Sequence, residues 1–437
     1  MFLLIKARLR PSHQSRVLHH IGVLIALLVG TTMSHAQIRA MTLDEALQLS
    51  LQRSSLPKAA EASILASREA AAKAGQLPDP MLKVGIDNVP VNGDERWSTT
   101  RDFMTMRRVG IEQQWVSADK RAARSERAQR AIEVEEGNYL AEIAKIREAT
   151  AKAWVNVLYI QRTLALVKEV EQQTAEDLSA MQASHRGAKA TASDVVQAEL
   201  ALSQAKETTR KAEQELRNAR TALARWTTMP VEAVADETPS LVSHVPDLPL
   251  QELEKYHPVV FAARRAITLA DAETTVATKE RRPDWSIEAG FSKRPQFSNM
   301  VSVGISIPLA VNPSERQDRD IAERSAMGTR ARLQYEDAVR ELQSEIQTQA
   351  ATLTSLKERL SLLKAELLPA AHQQVDLATA AYRAGTGSLN AIFSARKMLL
   401  EQKLQITELE KDAALTWATL EHHVVPHELA SAGRTAP

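Results

Sequence analysis

Two short stretches of this 437-residue sequence gather side chains able to ligate a metal: His422-His423-Val424-Val425-Pro426-His427 and Met104-Thr105-Met106. Neither sets histidines four apart on a helix beside a carboxylate, and the chain has no cysteine, which excludes thiolate metal sites, Cys nucleophiles and disulfides. No Gly-rich phosphate loop, nucleophile elbow or paired-carboxylate motif occurs. No catalytic, cofactor-binding or metal-ligating residue is therefore assigned, and an enzyme is not expected. The remaining chemistry is that of a polar lining. Lys83, Asp87, Arg108, Glu112, Gln114, Ser286, Glu288, Ser292, Ser302 and Ser306 each alternate with apolar neighbours, so each set falls on one side of an extended strand.

The clearest of these strands is Val301 to Leu309. Val301, Val303, Ile305, Ile307 and Leu309 share one face, with Ser302, Gly304, Ser306 and Pro308 on the other. Three more segments alternate in the same way: Leu82, Val84 and Ile86; Val109, Ile111 and Trp115; and Trp285, Ile287, Ala289 and Phe291. The rest of the chain is helical in composition, with 14 glycines and 4% aromatics against abundant Ala, Leu, Glu, Gln, Arg and Lys. A formal net charge of +1 argues against nucleic acid as a partner.

The N-terminus reads as a cleaved signal peptide over residues 1–36. A basic region (Lys6, Arg8, Arg10, Arg16) precedes an apolar run from Ile21 to Gly30, and Ser34-His35-Ala36 is a small-x-small cleavage site. No other run approaches the ~18 apolar residues of a membrane helix, so any span must be built from strands.

The order of elements repeats. Thr42-Leu43-Asp44-Glu45 has capping-box spacing and opens a helix that breaks at Leu56-Pro57 and stops at Leu77-Pro78-Asp79-Pro80. Two strands come next, then an unbroken helix from about Ala118 to Ser184, a link at Arg186-Gly187, and a return helix to about Arg225. His257-Pro258 and Arg282-Pro283-Asp284 begin the programme again. The second long helix, about Ser314 to Arg383, carries Leu353, Leu356, Leu360, Leu363 and Leu367 at coiled-coil spacing. The expected divisions are a first repeat at 37–229 (strands about 81–89 and 106–115), a linker at 230–249, and a second repeat at 250–421 (strands about 284–293 and 299–309). A disordered tail at 422–437 completes the chain.

Four strands of about ten residues can cross a bilayer but cannot close a barrel, since the smallest ordinary barrels have about eight. An open edge in lipid leaves backbone groups unpaired at several kcal/mol each, so other copies of the chain must supply the missing strands. Two copies would give eight strands with a filled lumen, and three would give twelve with a pore. A small soluble sheet packed on the helices is the alternative.

The paired prolines (Pro57 and Pro258; Pro78 and Pro283) and the strands Val109-Gly110-Ile111 and Val303-Gly304-Ile305 resemble the TolC-type outer-membrane efflux proteins. So do the turns His185-Arg186-Gly187 to Val195 and Leu368-Pro369 through Thr386. The resemblance covers nearly all of the mature chain. It implies a mainly α fold with transmembrane β: a duplicated helix–strand–strand–long helix–helix repeat in a homotrimer. The twelve-stranded barrel would continue into a periplasmic α-helical barrel, docked on a periplasmic adaptor (membrane fusion protein) and an inner-membrane pump of the RND type. Leu77-Pro78-Asp79-Pro80-Met81, Ile86-Asp87-Asn88-Val89-Pro90 and Thr100 to Arg108 look like the heavy-metal and cation efflux branch. Many relatives carry a lipid on an N-terminal Cys; with no Cys, that anchor is not expected here.

The resemblance also implies sites. Arg186, Gly187, Thr191, Asp194 and Val195, with Arg383, Gly385, Thr386, Ser388 and Asn390, would dock the adaptor. Equally, the glycines would supply the positive φ of tight turns and Ser or Thr would cap the next helix. The first turn is expected to lack one residue of the usual pattern (Arg186-Gly187 against Arg383-Ala384-Gly385). Asp376, about two turns before Tyr382, falls where the family carries acids around a closed aperture, and a three-fold ring of carboxylates would attract cations and gate by charge. The ten polar strand residues would line the pore. Two other readings stand beside the duct for metal cations. One is a duct for drugs or secreted proteins. The other is a periplasmic coiled-coil adaptor, which would have one hairpin flanked by β-rich segments in place of two hairpins and four strands.

Overall fold

The computed structural model describes residues 40–422 with Val424 and Val425. The signal-peptide segment, the tail from Pro426 and His423 lie outside the described residues. Helix α1 (Leu43–Arg53) is capped by Thr42, whose Oγ1 accepts the Glu45 N–H at 3.2 Å. The chain breaks at Ser54, ahead of the expected proline, and α2 (Ser55–Ala74) carries Pro57 in its first turn. A missing N–H costs nothing there, because the first N–H groups of a helix have no intrahelical partner. The second repeat does the same: His257 breaks the chain and Pro258 is the first residue of the next helix.

Two strands come after α2, β1 (Met81–Asp87) and β2 (Met106–Trp115), then α3 (Ala118–Arg186). At 69 residues α3 is roughly 100 Å long. Helix α4 (Ala192–Thr227) returns alongside it, and the linker leads through a 3₁₀ turn (Val245–Asp247) into α5 (Leu250–Tyr256) and α6 (Pro258–Glu280). Strands β3 (Trp285–Lys293) and β4 (Met300–Ser306) precede α7 (Gln317–Leu362), a π turn (Leu363–Leu367), α8 (Leu368–Arg383) and α9 (Leu389–His422). Thus α9 includes His422, and Val425 is buried with its N–H donated to the Tyr256 carbonyl, so the ordered chain extends past the expected end at 421.

The second long helix is not continuous. Pro369 has no N–H for the carbonyl four residues earlier, and the widened turn before it absorbs the mismatch. The extra residue also rotates the helix beyond it. Leu353, Leu356, Leu360 and Leu363 are buried as their spacing demands, whereas Leu367 is 47% exposed.

The core lies midway along the helices. Trp154, Val155, Val157, Leu158 and Tyr159 of α3 are almost fully buried, and the linker is strapped across them. Met41 N–H donates to the Ala233 carbonyl (3.0 Å), the Ala235 N–H to Met41 (2.9 Å), and Trp154 Nε1–H to the same Met41 oxygen (2.9 Å). Trp417 Nε1–H reaches the Val242 carbonyl at 2.9 Å.

The four strands form one antiparallel sheet in the order β1-β2-β3-β4, leaving β1 and β4 as open edges. The central β2–β3 pairing joins the two repeats. Three of the strands differ in their limits from expectation. β1 stops at Asp87 because Asn88 turns left-handed (φ 57°) ahead of Pro90. β3 starts at Trp285, and β4 covers 300–306 because Ser306 already pairs with Ser286 near the start of β3 and Pro308 cannot donate.

Candidate functional site

The register places all ten polar strand residues on one face. Lys83 lies across from Gly110, Arg108 from Gly85 and Ser292, Glu112 from Glu288, Gln114 from Ser286, Gly290 from Ser302, and Ser286 from Ser306; Asp87 is opposite Met106. Directly opposed residues share a side, so the polar set forms a continuous surface. A ladder of ion pairs crosses it. Lys83 Nζ pairs with Glu112 and, at 2.8 Å, with Glu288. Arg108 reaches Asp87 at 3.3 Å and Glu288 at 3.5 Å. Glu288 of β3 therefore takes both cations, Arg108 from the neighbouring β2 and Lys83 from β1 beyond it.

Glycine makes room for that ladder. Gly110 and Gly290 are directly opposed. A Cβ on Gly110 would stand 3.0 Å from the Ala289 carbonyl, and one on Gly290 would stand 3.0 Å from Ser302 Oγ and 3.7 Å from Arg108 Cδ. The Arg108 stem lies over this bare floor. The sequence reading missed Met81, Met106 and Met300, which share the polar face and which the alternation itself could have found.

The other face is apolar and open: Leu82, Val84, Ile86, Val109, Ile111, Phe291, Val301, Val303 and Ile305 are all exposed. Aromatic pairs bracket it. Trp115 and Trp285 pack at 5.8 Å at the helix end, and Phe103 and Phe297, in the loops at the other end, meet edge to face at 6.3 Å.

The turn residues gather at the opposite end of the molecule. Arg186 closes α3 and Arg383 closes α8, and both are exposed. The two turns match residue for residue, which corrects the expected one-residue gap. Ala188 N–H bonds the His185 carbonyl as Gly385 N–H bonds Tyr382, and Lys189 bonds Ser184 as Thr386 bonds Ala381. The left-handed position is Ala188 in the first turn (φ 55°) and Gly385 in the second (φ 76°). Gly187, at φ −85°, is not the residue that supplies the positive φ. Thr191 and Asp194 make a complete capping box at the start of α4, and Ser388 Oγ accepts the Ala391 N–H at 3.2 Å for α9.

One contact ties the turns together: Asn390 Nδ2–H donates to Asp194 Oδ1 at 3.1 Å. The Thr191 N–H and hydroxyl, with this amide, hold the Asp194 carboxyl below the usual range. Val195 is half-buried behind it. Nine residues before Arg186, Asp177 of α3 pairs with Arg396 of α9. Burial pushes the Asp177 carboxyl up against the opposing pull of Arg396. No local pattern announces such a pair, 219 residues apart. Asp376 is exposed on α8, and no ion pair to it occurs among the described residues.

Of the candidate ligand clusters, His422, Met104 and Met106 lie among the described residues. His422 is 5% exposed, its ring edge-on to Trp417 at 5.7 Å and its Nδ1 3.4 Å from Arg147. Burial and the Arg147 charge lower its pKa to about 4. Met106 sits on β2 and Met104 in the loop before it, and no group of three or more His, Asp or Glu side chains is placed to hold a metal among the described residues.

Residues 250–423 match the family model described as Outer membrane efflux protein. The cobalt-zinc-cadmium resistance protein CzcC of Cupriavidus metallidurans is 24% identical over 372 residues, covering 84% of this chain and 85% of that protein. Among solved structures, the outer membrane protein VceC of Vibrio cholerae superposes with a TM-score of 0.72 at 16% identity, over 87% of this chain and 95% of that one. The transmembrane channel CusC gives 0.73 at 16% identity, over 86% and 90%. The resemblance read from the prolines, strands and turns is thus met by sequence and by fold.

Proposed function

We infer that this chain is an outer-membrane efflux protein, a channel and not an enzyme, acting in a tripartite system with an adaptor and an inner-membrane pump. The observation that carries this reading is the sheet: four strands with one exposed apolar face, one ion-paired polar face and two open edges. Water would penalise so large an apolar face, and lipid would penalise the unpaired edges. Both conditions are met when copies of the chain complete a wall. Three copies give twelve strands, with the polar residues, Lys83 and Glu288 among them, around a lumen.

In this assembly the helices continue the duct on the periplasmic side. The paired turns present Arg186, Gly187, Thr191, Asp194 and Val195, and Arg383, Gly385, Thr386, Ser388 and Asn390, to the adaptor, with Asp376 near the aperture. The structural repeats are 37–229 and 250–421, the segment before them is a cleaved signal, and transport is passive, driven by the pump. The likeness to CzcC supports divalent heavy-metal cations as the substrate.

Detergent extraction tests the assembly: the protein should enter the membrane fraction and purify as a trimer, and a monomer that stays soluble without detergent would refute the barrel. For substrate, a strain lacking the protein should lose tolerance to cobalt, zinc or cadmium salts. Lost drug tolerance with unchanged metal tolerance would replace the cation assignment. Asp376→Ala should change conductance or cation selectivity in planar bilayers, and identical traces would remove Asp376 from the gate.

A further inference from the structure

The cations of the sheet fall into two sets. On the polar face, Lys83 and Arg108 are each paired with two carboxylates. On the apolar face, Arg107 and Lys293 are directly opposed across β2 and β3. Both are exposed, and neither has an ion-pair partner among the described residues. Like charges in this position, with Cβ atoms about 5 Å apart, repel and weaken the pairing. Their neighbours in the same row and the next are Ile86, Val109 and Phe291, so no acid on that face relieves them. Asp102, in the loop before β2, gives its Oδ1 to the Met104 and Thr105 N–H groups at 2.7 and 3.1 Å.

Their height on the sheet indicates what does relieve them. Along the strands, Arg107 and Lys293 lie eight residues from the Trp115–Trp285 pair, about 27 Å away. That is the height of the apolar band of a barrel wall, which is about 25 Å. Beyond them, the Arg294 guanidinium lies 5.8 Å over Phe297, which packs on Phe103. Cations and aromatic rings at the edge of an apolar band occupy the headgroup layer. Guanidinium and ammonium groups side by side match phosphate oxygens, arginine by two parallel hydrogen bonds and lysine as a point charge.

We propose that Arg107 and Lys293 form a binding site for a phosphorylated lipid headgroup of the leaflet facing away from the helices, a site that rests on the barrel reading of the sheet. The lipid phosphate is the counter-ion that this cross-strand pair lacks, and its acyl chains run down over Val109, Phe291 and Val301.

The test uses the full-length protein in nanodiscs of phosphatidylcholine alone, phosphatidylcholine with a bisphosphorylated glucosamine disaccharide lipid, and phosphatidylcholine with the same lipid dephosphorylated. Retained lipid is counted by native mass spectrometry after detergent exchange. The wild-type protein should keep the phosphorylated lipid in preference to the dephosphorylated one. Arg107→Gln with Lys293→Gln should reduce that retention on the order of tenfold. Equal retention of both lipids by the wild-type protein overturns the site without recourse to any variant. Unchanged retention in the double variant, or full competition by millimolar inorganic phosphate, overturns it as a headgroup site. A protein that does not enter phosphatidylcholine discs at all refutes the barrel and the site together, whereas entry without phosphate preference refutes the site alone.

Discussion

The two long hairpins are copies in outline and opposites in detail. In the first, α3 runs 69 residues without interruption and turns into α4 with its register intact. In the second, the corresponding length is divided by the π turn at Leu363–Leu367, and Lys364 within that turn is tied to Glu410 of α9 at 2.5 Å. The turns at the far end nevertheless share the same three backbone hydrogen bonds, from Gly187, Ala188 and Lys189 in one and Ala384, Gly385 and Thr386 in the other. The main difference between the hairpins lies in the shaft, where a single proline changes which leucines face the core.

The leucine seam gives the largest expected contrast. Leu360→Ala, before the π turn, empties a buried position and should cost about 2–5 kcal/mol. Leu367→Ala, two seam positions further on and already exposed, should change stability by less than about 0.5 kcal/mol. Denaturant midpoints of the two variants measure it, and equal losses would mean the seam runs straight through the turn.

The ends of the return helices differ as well. Thr227 at the end of α4 is buried with its hydroxyl donated to the Leu223 carbonyl, whereas α9 ends in the buried His422. His422 is held neutral in the fold, with a pKa of about 4, while the unfolded chain binds a proton near the ordinary value of 6.5. More protons are bound by the unfolded state in that window, so stability falls as pH drops from about 6.5 towards 4, by on the order of 3 kcal/mol. His422→Phe should remove that part of the acid sensitivity, and an unchanged stability–pH slope between pH 6.5 and 4 would contradict it.

Helix glycines separate the shafts again. A Cβ on Gly137 of α3 would sit 2.9 Å from the Ala262 Cα of α6, so Gly137→Ala must push two backbones apart, costing about 1–3 kcal/mol. Around Gly328 of α7 the nearest atoms are 3.7 Å away, and Gly328→Ala should stabilise by up to about 1 kcal/mol through helix propensity. Thermal unfolding of both variants decides whether the tight crossing belongs to the first hairpin alone. The smallest contrast is at the tips. Thr191→Ala, which breaks a reciprocal capping box, should cost about 1 kcal/mol, and Ser388→Ala, with a single bond to lose, somewhat less. Hydrogen exchange over the first turns of α4 and α9 reads both.

Much of this was legible in the residues. Period-two alternation located the four strands and divided their faces correctly, because a half-exposed strand leaves no freedom in which side is polar. Capping of the return helices by Thr191 and Ser388 follows from side-chain chemistry within four residues. What escaped was long-range or cumulative. The exposure of Leu367 depends on an extra residue in a turn that Leu360 and Leu363 do not reveal. Ala188, with its methyl group, was not expected in a left-handed position that glycine takes in the partner turn. The Glu288-centred ladder and the Asp177–Arg396 and Asn390–Asp194 pairs join residues far apart in the chain, with no local pattern to mark them.

The pairing of β2 with β3 has a consequence in time. Trp115 pairs with Trp285, so the middle of the sheet encloses the whole of the first hairpin, the linker and α6. The entropy of closing so long a loop grows only slowly with its length, but contacts so distant form late. Until they form, β1–β2 and β3–β4 are separate two-stranded ribbons, marginal on their own. The four-stranded sheet therefore cannot be complete until the second repeat is in place. A chain halted after its first hairpin would hold two strands and the longest helix, with nothing yet to join into a wall.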